Sequence, residues 1–397
     1  MTSIYEFRIS NLAGRRGEVH QILNPKLNIF WGLNGSGKTT LLRILDAALS
    51  NRTQSIKDLP FDRAEVTFYS NGRNAFYKRT YDKFASQQAL GGWHDGWSTY
   101  VDPDTEEEIT YRVGDGSEDR GWVTVPLQGA PEDGMGVNYK HSYLPISRML
   151  DPRRNDRPRT QFADDDRFAL RVNQVWSTYS QKSLAEVRDV QQFGLADVLA
   201  ILFGGRPQLP AMEGLAVDEM AEETPATDAY EIVSSFLADQ RILLPLGEAD
   251  FTARYEESIL HRHVVTRIRS IMRLVDQILA PTRELEAVIE EMYIGNKHLV
   301  LNRGAKTGNV AVRIDKESVP LDALSSGEKQ VLQLLLETLA VEESTIMIDE
   351  PELSLHPDWQ KRLVGSMRRV NADAQFLLAT HSPELMIGVP DECVFEL

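Results

Sequence analysis

At 397 residues the chain is long enough for about two to three domain-sized units, and its 42% hydrophobic and 26% charged residues are ordinary for a globular protein. A formal net charge of −16 excludes a wholly basic nucleic-acid binder, although screening over ~8 Å at physiological salt still permits a local basic patch. The single cysteine, Cys393, excludes an internal disulfide. No apolar run reaches bilayer length and "MTSIYEFRISNLAGRR" has no signal-peptide core, so the expected location is the cytoplasm.

Residues 1–160 read mostly as strands: "FRIS", "KLNIFW", "AEVTFYS" and "AFYKRTY" are β-branched and aromatic, with Asn71-Gly72 as a hairpin turn. "KTTLLRILDAALS" has helical apolar spacing. "GGWHDGW", with Trp93 and Trp97, reads as hairpin-tip packing in preference to a partner surface. Residues 161–296 read as helix. Val264, Ile268, Ile271, Val275, Ile278, Leu285, Ile289 and Met292 alternate gaps of four and three, with Thr282 filling one slot and Pro281 expected to kink or break the helix. "RFALRVNQVWSTYSQ", with Phe168, Val172, Val175 and Tyr179, is the candidate antiparallel partner. A coiled-coil arm and an ordinary helical insertion both remain open. Arg262, Arg267, Arg269 and Arg273 are expected on its solvent face, and acidic residues 212–229 as a loop.

From 297 to 397 strands return in "KHLVLNR" and "NVAVRI", followed by the helix "EKQVLQLLLETLA", the strand "TIMID", a helix near 357–370, and the strands "QFLLAT" and "CVFE". Alternating strands and helices predict an α/β fold, a parallel sheet covered by helices.

"GLNGSGKT" at 32–39 satisfies G-x-x-x-x-G-K-[ST] between an apolar strand and a helix, the context a phosphate-binding loop requires. Asn34, Gly35, Ser36, Gly37, Lys38, Thr39 and Thr40 are the candidate nucleotide-binding residues. Lys38 offsets the β/γ-phosphate charge and the Thr39 hydroxyl suits Mg²⁺, so the expected cofactors are ATP and Mg²⁺. "TIMIDEPE" delivers Asp349 to the metal and Glu350 to the attacking water as general base. His381, in "THS", follows the next strand and can reach the γ-phosphate. By itself a lone histidine is weak support for a site. "LSSGEKQ" is a second phosphate-binding turn, placing Ser325 and Gly327 at a helix N-terminus. A two-fold dimer in which each chain's turn covers the other's nucleotide explains two such loops in one chain.

In order, "GLNGSGKTT", "LSSGEKQ", "TIMIDEPE" and "THS" resemble the ABC-type ATPase head, and "DEPELSLHPDWQ" resembles the SMC-like, RecF-like and overcoming-lysogenization-defect (OLD) ATPases, whose heads are interrupted by a helical or coiled-coil arm. The resemblance implies Walker A roles for Lys38 and Thr39, signature roles for Ser325 and Gly327, Walker B roles for Asp349 and Glu350, and the switch role for His381. The Q-loop has no clear match. "YLPISR" at 143–148 is the best placement, leaving Arg148 or a neighbour in that role. His356 stands where transporters carry Asp, which argues against a transporter subunit.

OLD-like heads are commonly followed by a Toprim nuclease, whereas this sequence runs only to Leu397, which implies a stand-alone ATPase subunit similar to those of anti-phage systems such as PARIS or Septu. The implied function is a homo-oligomeric sensor or scaffold controlling a separately encoded nuclease or toxin. The alternative is a RecF-like repair ATPase binding DNA through Arg148, Arg153, Arg154, Arg157 and Arg159, a segment that reads more simply as a mixed-charge linker.

Overall fold

The computed structural model describes residues 2–83, 97–101, 108–112, 121–127, 130–131, 136–146, 161–204, 224–293, 295, 297–302, 309–315 and 317–397. Trp93, Arg148 and the arginines to 159 lie outside the described residues, as does 212–223 of the acidic stretch, and nothing of the Trp97 side chain is described.

In chain order the elements are β1 (Thr2–Ser10), β2 (Glu18–Ile22), β3 (Leu27–Trp31), α1 (Lys38–Ser50), β4 (Arg63–Ser70), β5 (Ala75–Asp82), β6 (Trp97–Val101), β7 (Glu108–Arg112), β8 (Val123–Pro126) and β9 (His141–Leu144). Then come α2 (Gln161–Leu202), α3 (Ala226–Asp239), α4 (Glu248–Glu257), α5 (Ile259–Met292), β10 (Lys297–Asn302), β11 (Asn309–Ile314), β12 (Glu317–Val319), α6 (Ser326–Ala340), β13 (Thr345–Asp349), α7 (Pro357–Val370), β14 (Gln375–Thr380) and β15 (Val394–Glu396). Two compact units result: residues 1–175, 285–300 and 310–397, and residues 176–284 with 301–309.

The first unit holds an antiparallel sheet, β2-β1-β4-β5-β8, and a parallel sheet, β15-β3-β14-β13-β9. β4 and β5 alternate buried and half-buried residues, as strands with one covered face do. β13 and β14 are buried at every position, as strands covered on both faces are. Leu41, Leu45 and Ala48 of α1 share one core with Phe7, Val66 and Phe68 of the antiparallel sheet and with Phe30, Met347 and Leu377 of the parallel sheet. The β4–β5 turn spans Asn71 to Asn74, and Asn74 takes the left-handed conformation rather than Gly72.

Two buried polar side chains bind this unit together. Arg79 is fully buried, its guanidinium between the rings of Phe68 and Tyr139. It donates to the carbonyls of Ala48, Leu49 and Val137, so it caps the negative end of α1. Burial pulls its pKa down to about 10. Gln375 accepts from Ile4 N at 2.8 Å and Thr345 Oγ1 at 2.9 Å, and donates to Ile4 O and Asn24 O, tying β1 to the parallel sheet.

The second unit is helical. Val198, Val233, Phe236, Phe251, Tyr255, Val265, Ile268 and Ile271 form one core from four helices, a bundle rather than a two-helix hairpin. The acidic stretch expected as a loop to 229 is already helical at Ala226. α5 runs through Pro281, so of the expected kink or break the break does not occur. Every seam position from Val264 to Met292 is buried or half-buried, and that burial offsets the ~3 kcal/mol a mid-helix proline costs. On α2, Phe168, Val172 and Trp176 are buried and Val175 only half so, with the Trp176 indole donating to Asn302 O at 2.9 Å. Arg267 is not on the solvent face: it pairs with Asp197, itself 2% exposed.

Candidate functional site

The glycine loop joins β3 to α1. Gly37 has φ +104°, and a Cβ there would meet the Ala13 Cβ at 3.0 Å, so both backbone angle and space demand glycine. Lys38, 5% exposed, donates to Gly32 O at 2.7 Å and Leu33 O at 3.2 Å and lies 4.0 Å from Glu350 Oε1. Ser36 Oγ is buried and has no partner among the described residues. Asn34 and Gly35 are exposed; Thr39 and Thr40 are half-buried. A buried ammonium, an orphaned hydroxyl and two left-handed glycines, Gly35 and Gly37, at a helix N-terminus fit a polyphosphate.

Two strands away, β13 ends in Asp349, fully buried, and Glu350. Glu350 sits at φ 49°, a conformation that costs a non-glycine residue about 1–3 kcal/mol. It is held there by its N–H to Ala379 O at 2.8 Å. Its carboxylate meets the His381 Nδ1 beyond the end of β14, the strand lying between β3 and β13. The sheet order thus brings Lys38, Glu350 and His381 together. Burial and the neighbouring Glu352 push the Glu350 pKa up, against the opposing pull of His381.

Glu352 was not legible as a site residue. It is 4% exposed and accepts from Thr380 Oγ1, His381 N and Ser382 N. Glu350, Glu352 and His381 offer three potential metal-binding atoms within 4.8 Å of one another, but their mutual hydrogen bonds account for the cluster without an ion. The candidate metal ligands remain Thr39 and Asp349. The second acid of "DEPE" was the available clue.

Ser325 and Gly327 belong to a different cluster, and no hydrogen bond or ion pair among the described residues joins them to Lys38. Ser325 caps α6 in a reciprocal box: its hydroxyl accepts from Glu328 N, and Glu328 Oε2 accepts from Ser325 N. Glu328 also pairs with Lys297 at 2.5 Å. A Cβ on Gly327 would meet Ser354 O at 2.9 Å and the Trp359 ring at 3.2 Å. Trp359 stacks on Tyr293, whose hydroxyl donates to Glu328 O. Both Ser325 and Ser326 remain exposed. His356 is the N-cap of α7, its Nδ1 accepting from Asp358 N.

Residues 8–168 match a family described as "AAA domain", and residues 218–387 one described as "AAA domain, putative AbiEii toxin, Type IV TA system". The "Retron Ec83 probable ATPase" of Escherichia coli is 33% identical over 99 residues, 21% of this chain and 18% of that protein. The "Retron Vc95 probable ATPase" of Vibrio cholerae serotype O1 biovar El Tor is 40% identical over 47 residues, 12% of this chain and 9% of that protein. The matched stretches therefore span less than a fifth of either relative. The Smc head domain of Pyrococcus furiosus, bound to the C-terminal domain of ScpA, aligns over 98% of this chain and 92% of that one at 12% identity and a TM-score of 0.42. No described helix is long and apolar enough to cross a membrane. In its matched stretches the chain is similar to AAA-type ATPase domains and to the probable ATPases of retrons, and its α/β fold is interrupted by a helical insertion.

Proposed function

We propose that the protein binds ATP with Mg²⁺, dimerises around it and hydrolyses it, and that this cycle controls a separately encoded effector in anti-phage defence. The observation that carries the ATPase reading is the convergence of Lys38, Glu350 and His381 at the ends of neighbouring strands. In this reading Lys38 exchanges its two loop carbonyls for phosphate oxygens. Thr39 and Asp349 hold Mg²⁺, which when bound supplies charge neutralisation at the phosphates. Glu350, its basicity raised by burial and Glu352, accepts the proton of the attacking water, and His381 orients that carboxylate. Ser325 and Gly327 of one chain meet the nucleotide of its partner through the exposed N-terminus of α6.

Residues 1–160 and 297–397 form the head in this proposal, and 161–296 the arm, which with the outer head surface docks the effector, a nuclease or toxin. The similarity to retron ATPases over a fraction of their length supports the defence setting. The net charge of −16 favours a protein partner over nucleic acid. The test is co-purification with the product of the neighbouring gene, with and without ATP, reading complex mass and nuclease activity. An ATP-dependent complex is expected. Failure to co-purify, together with tight, salt-sensitive DNA binding by this chain alone, overturns the effector role in favour of the RecF-like alternative.

A further inference from the structure

We propose that Glu352 is the positioning residue of the hydrolytic site, fixing the His381 ring against Glu350 by clamping the turn that carries it. This rests on the ATPase reading above. One carboxylate oxygen, Oε1, accepts from three consecutive residues: the Thr380 hydroxyl, His381 N at 3.0 Å and Ser382 N at 3.2 Å. Thr380 Oγ1 in turn accepts from Ser382 N at 2.9 Å, which closes the turn on itself. The same Oε1 lies 3.3 Å from His381 Nδ1.

The His381 side chain is 49% exposed, so packing alone does not fix its ring. Its backbone N–H is held by Glu352, and its Nδ1 stands between Glu350 Oε2 and Glu352 Oε1. Glu352 itself is 4% exposed, and among the described residues no Lys or Arg pairs with it. Burying a carboxylate without a cation opposes folding, and a serine or asparagine staples a turn with less desolvation. What the carboxylate adds over those residues is an anionic oxygen beside His381. The second oxygen, Oε2, is buried with no partner among the described residues. An isosteric Gln therefore has no comfortable orientation. Its NH₂ group faces either three donors at Oε1 or a buried position without an acceptor at Oε2. No hydrogen bond or ion pair among the described residues links Glu352 to the glycine loop, so the proposal separates turnover from ATP binding.

The experiment compares wild type, Glu352→Gln, His381→Ala and the double variant for kcat and ATP affinity, with ¹⁵N-histidine NMR of each. Expected for Glu352→Gln are a fall in kcat of roughly 10-fold, the scale of orienting partners, and ATP affinity within about 2-fold of wild type. The double variant is expected to be no slower than His381→Ala alone. The His381 resonance, identified by its loss in His381→Ala, is expected to move in Glu352→Gln. Unchanged kcat, a double variant slowed by the full product of the single effects, or an unmoved His381 resonance overturns the proposal. If Glu352→Gln does not fold, Glu352→Asp keeps the charge while shortening the reach, and the same resonance decides. Absence of Lys38-dependent hydrolysis in the wild type would remove the ATPase reading, and the His381 resonance still reports whether Glu352 holds that ring.

Discussion

The Lys38 ammonium and the Glu350 carboxylate face each other at 4.0 Å, both nearly buried, across the strand that separates their own. Replacing Lys38 by Ala removes the charge offered to phosphate and leaves Glu350 without its cation. ATP affinity is expected to fall by at least about 10–100-fold, the scale of a lost charge-assisted hydrogen bond. Calorimetric titration checks this, and unchanged affinity would take the nucleotide away from this loop.

Glu350→Gln is expected to keep ATP binding and lower turnover by ~10²–10⁴-fold. Wild-type turnover in this variant would move the base elsewhere. Glu350→Gly makes a second, opposite point. Glycine adopts φ 49° freely, so this variant is expected to be inactive yet to unfold at a higher temperature than Glu350→Ala.

Ser325→Arg puts a long charged side chain at the exposed start of α6. ATP binding is expected to survive while hydrolysis drops. Mixing it with Lys38→Ala is expected to restore part of the activity, because one composite site then has both a sound glycine loop and a sound α6 turn. Ser325→Ala is the control for the lost cap, worth ~0.5–2 kcal/mol of stability. No rescue in proven mixed dimers counts against the shared site.

Glu328 has a lowered pKa. Burial pushes it up, but hydrogen bonds from Lys297 and from Ser325 outweigh that. Its native form therefore binds its proton less readily than the unfolded chain does. The stability it contributes is present above the ordinary glutamate value and is lost as pH falls through the native one. Glu328→Gln is expected to flatten the acid limb of a stability–pH profile, and an unchanged acid limb is the contrary result.

In the helical unit, Gly194 of α2 faces Ile271 of α5 so closely that a Cβ would lie 2.6 Å from its Cδ1. Gly→Ala inside a helix ordinarily stabilises by ~1 kcal/mol. Here the sign is expected to reverse, with loss of about 1–3 kcal/mol by overpacking. Paired Gly194→Ala and Ile271→Val substitutions are expected to recover part of it in thermal unfolding.

Lys38, Glu350 and His381 were legible because each sits in a short motif whose spacing is set by strand-to-helix geometry. Glu352 was not, since an acid two residues after another reads as solvated strand-end charge until the fold turns it inward. Arg79 illustrates a signal present but easily passed over. Alternation along β5 places it with Tyr77 and Tyr81 on the buried face, although an arginine argues for solvent. At Pro281 only the break allowed by a sound local rule was overridden, by burial along the rest of α5. The extra helices α3 and α4 follow from no motif, because their partners are fixed only when the bundle forms.

The parallel sheet draws β3 from before α1 but β13, β14 and β15 from beyond the helical unit: β3 lies between β14 and β15, and Gln375 of β14 bonds Ile4 of the antiparallel sheet across 371 residues. On a ribosome, β1, β4 and β5 meet their partners early, whereas β3 emerges almost first and gains both its neighbours last. Such long loop closures are slow. On the reading proposed above, a nascent chain therefore carries a finished glycine-loop sequence whose strand lacks both neighbours until β14 and β15 leave the exit tunnel. On that reading, nucleotide capture would report that translation has run through β14 and β15.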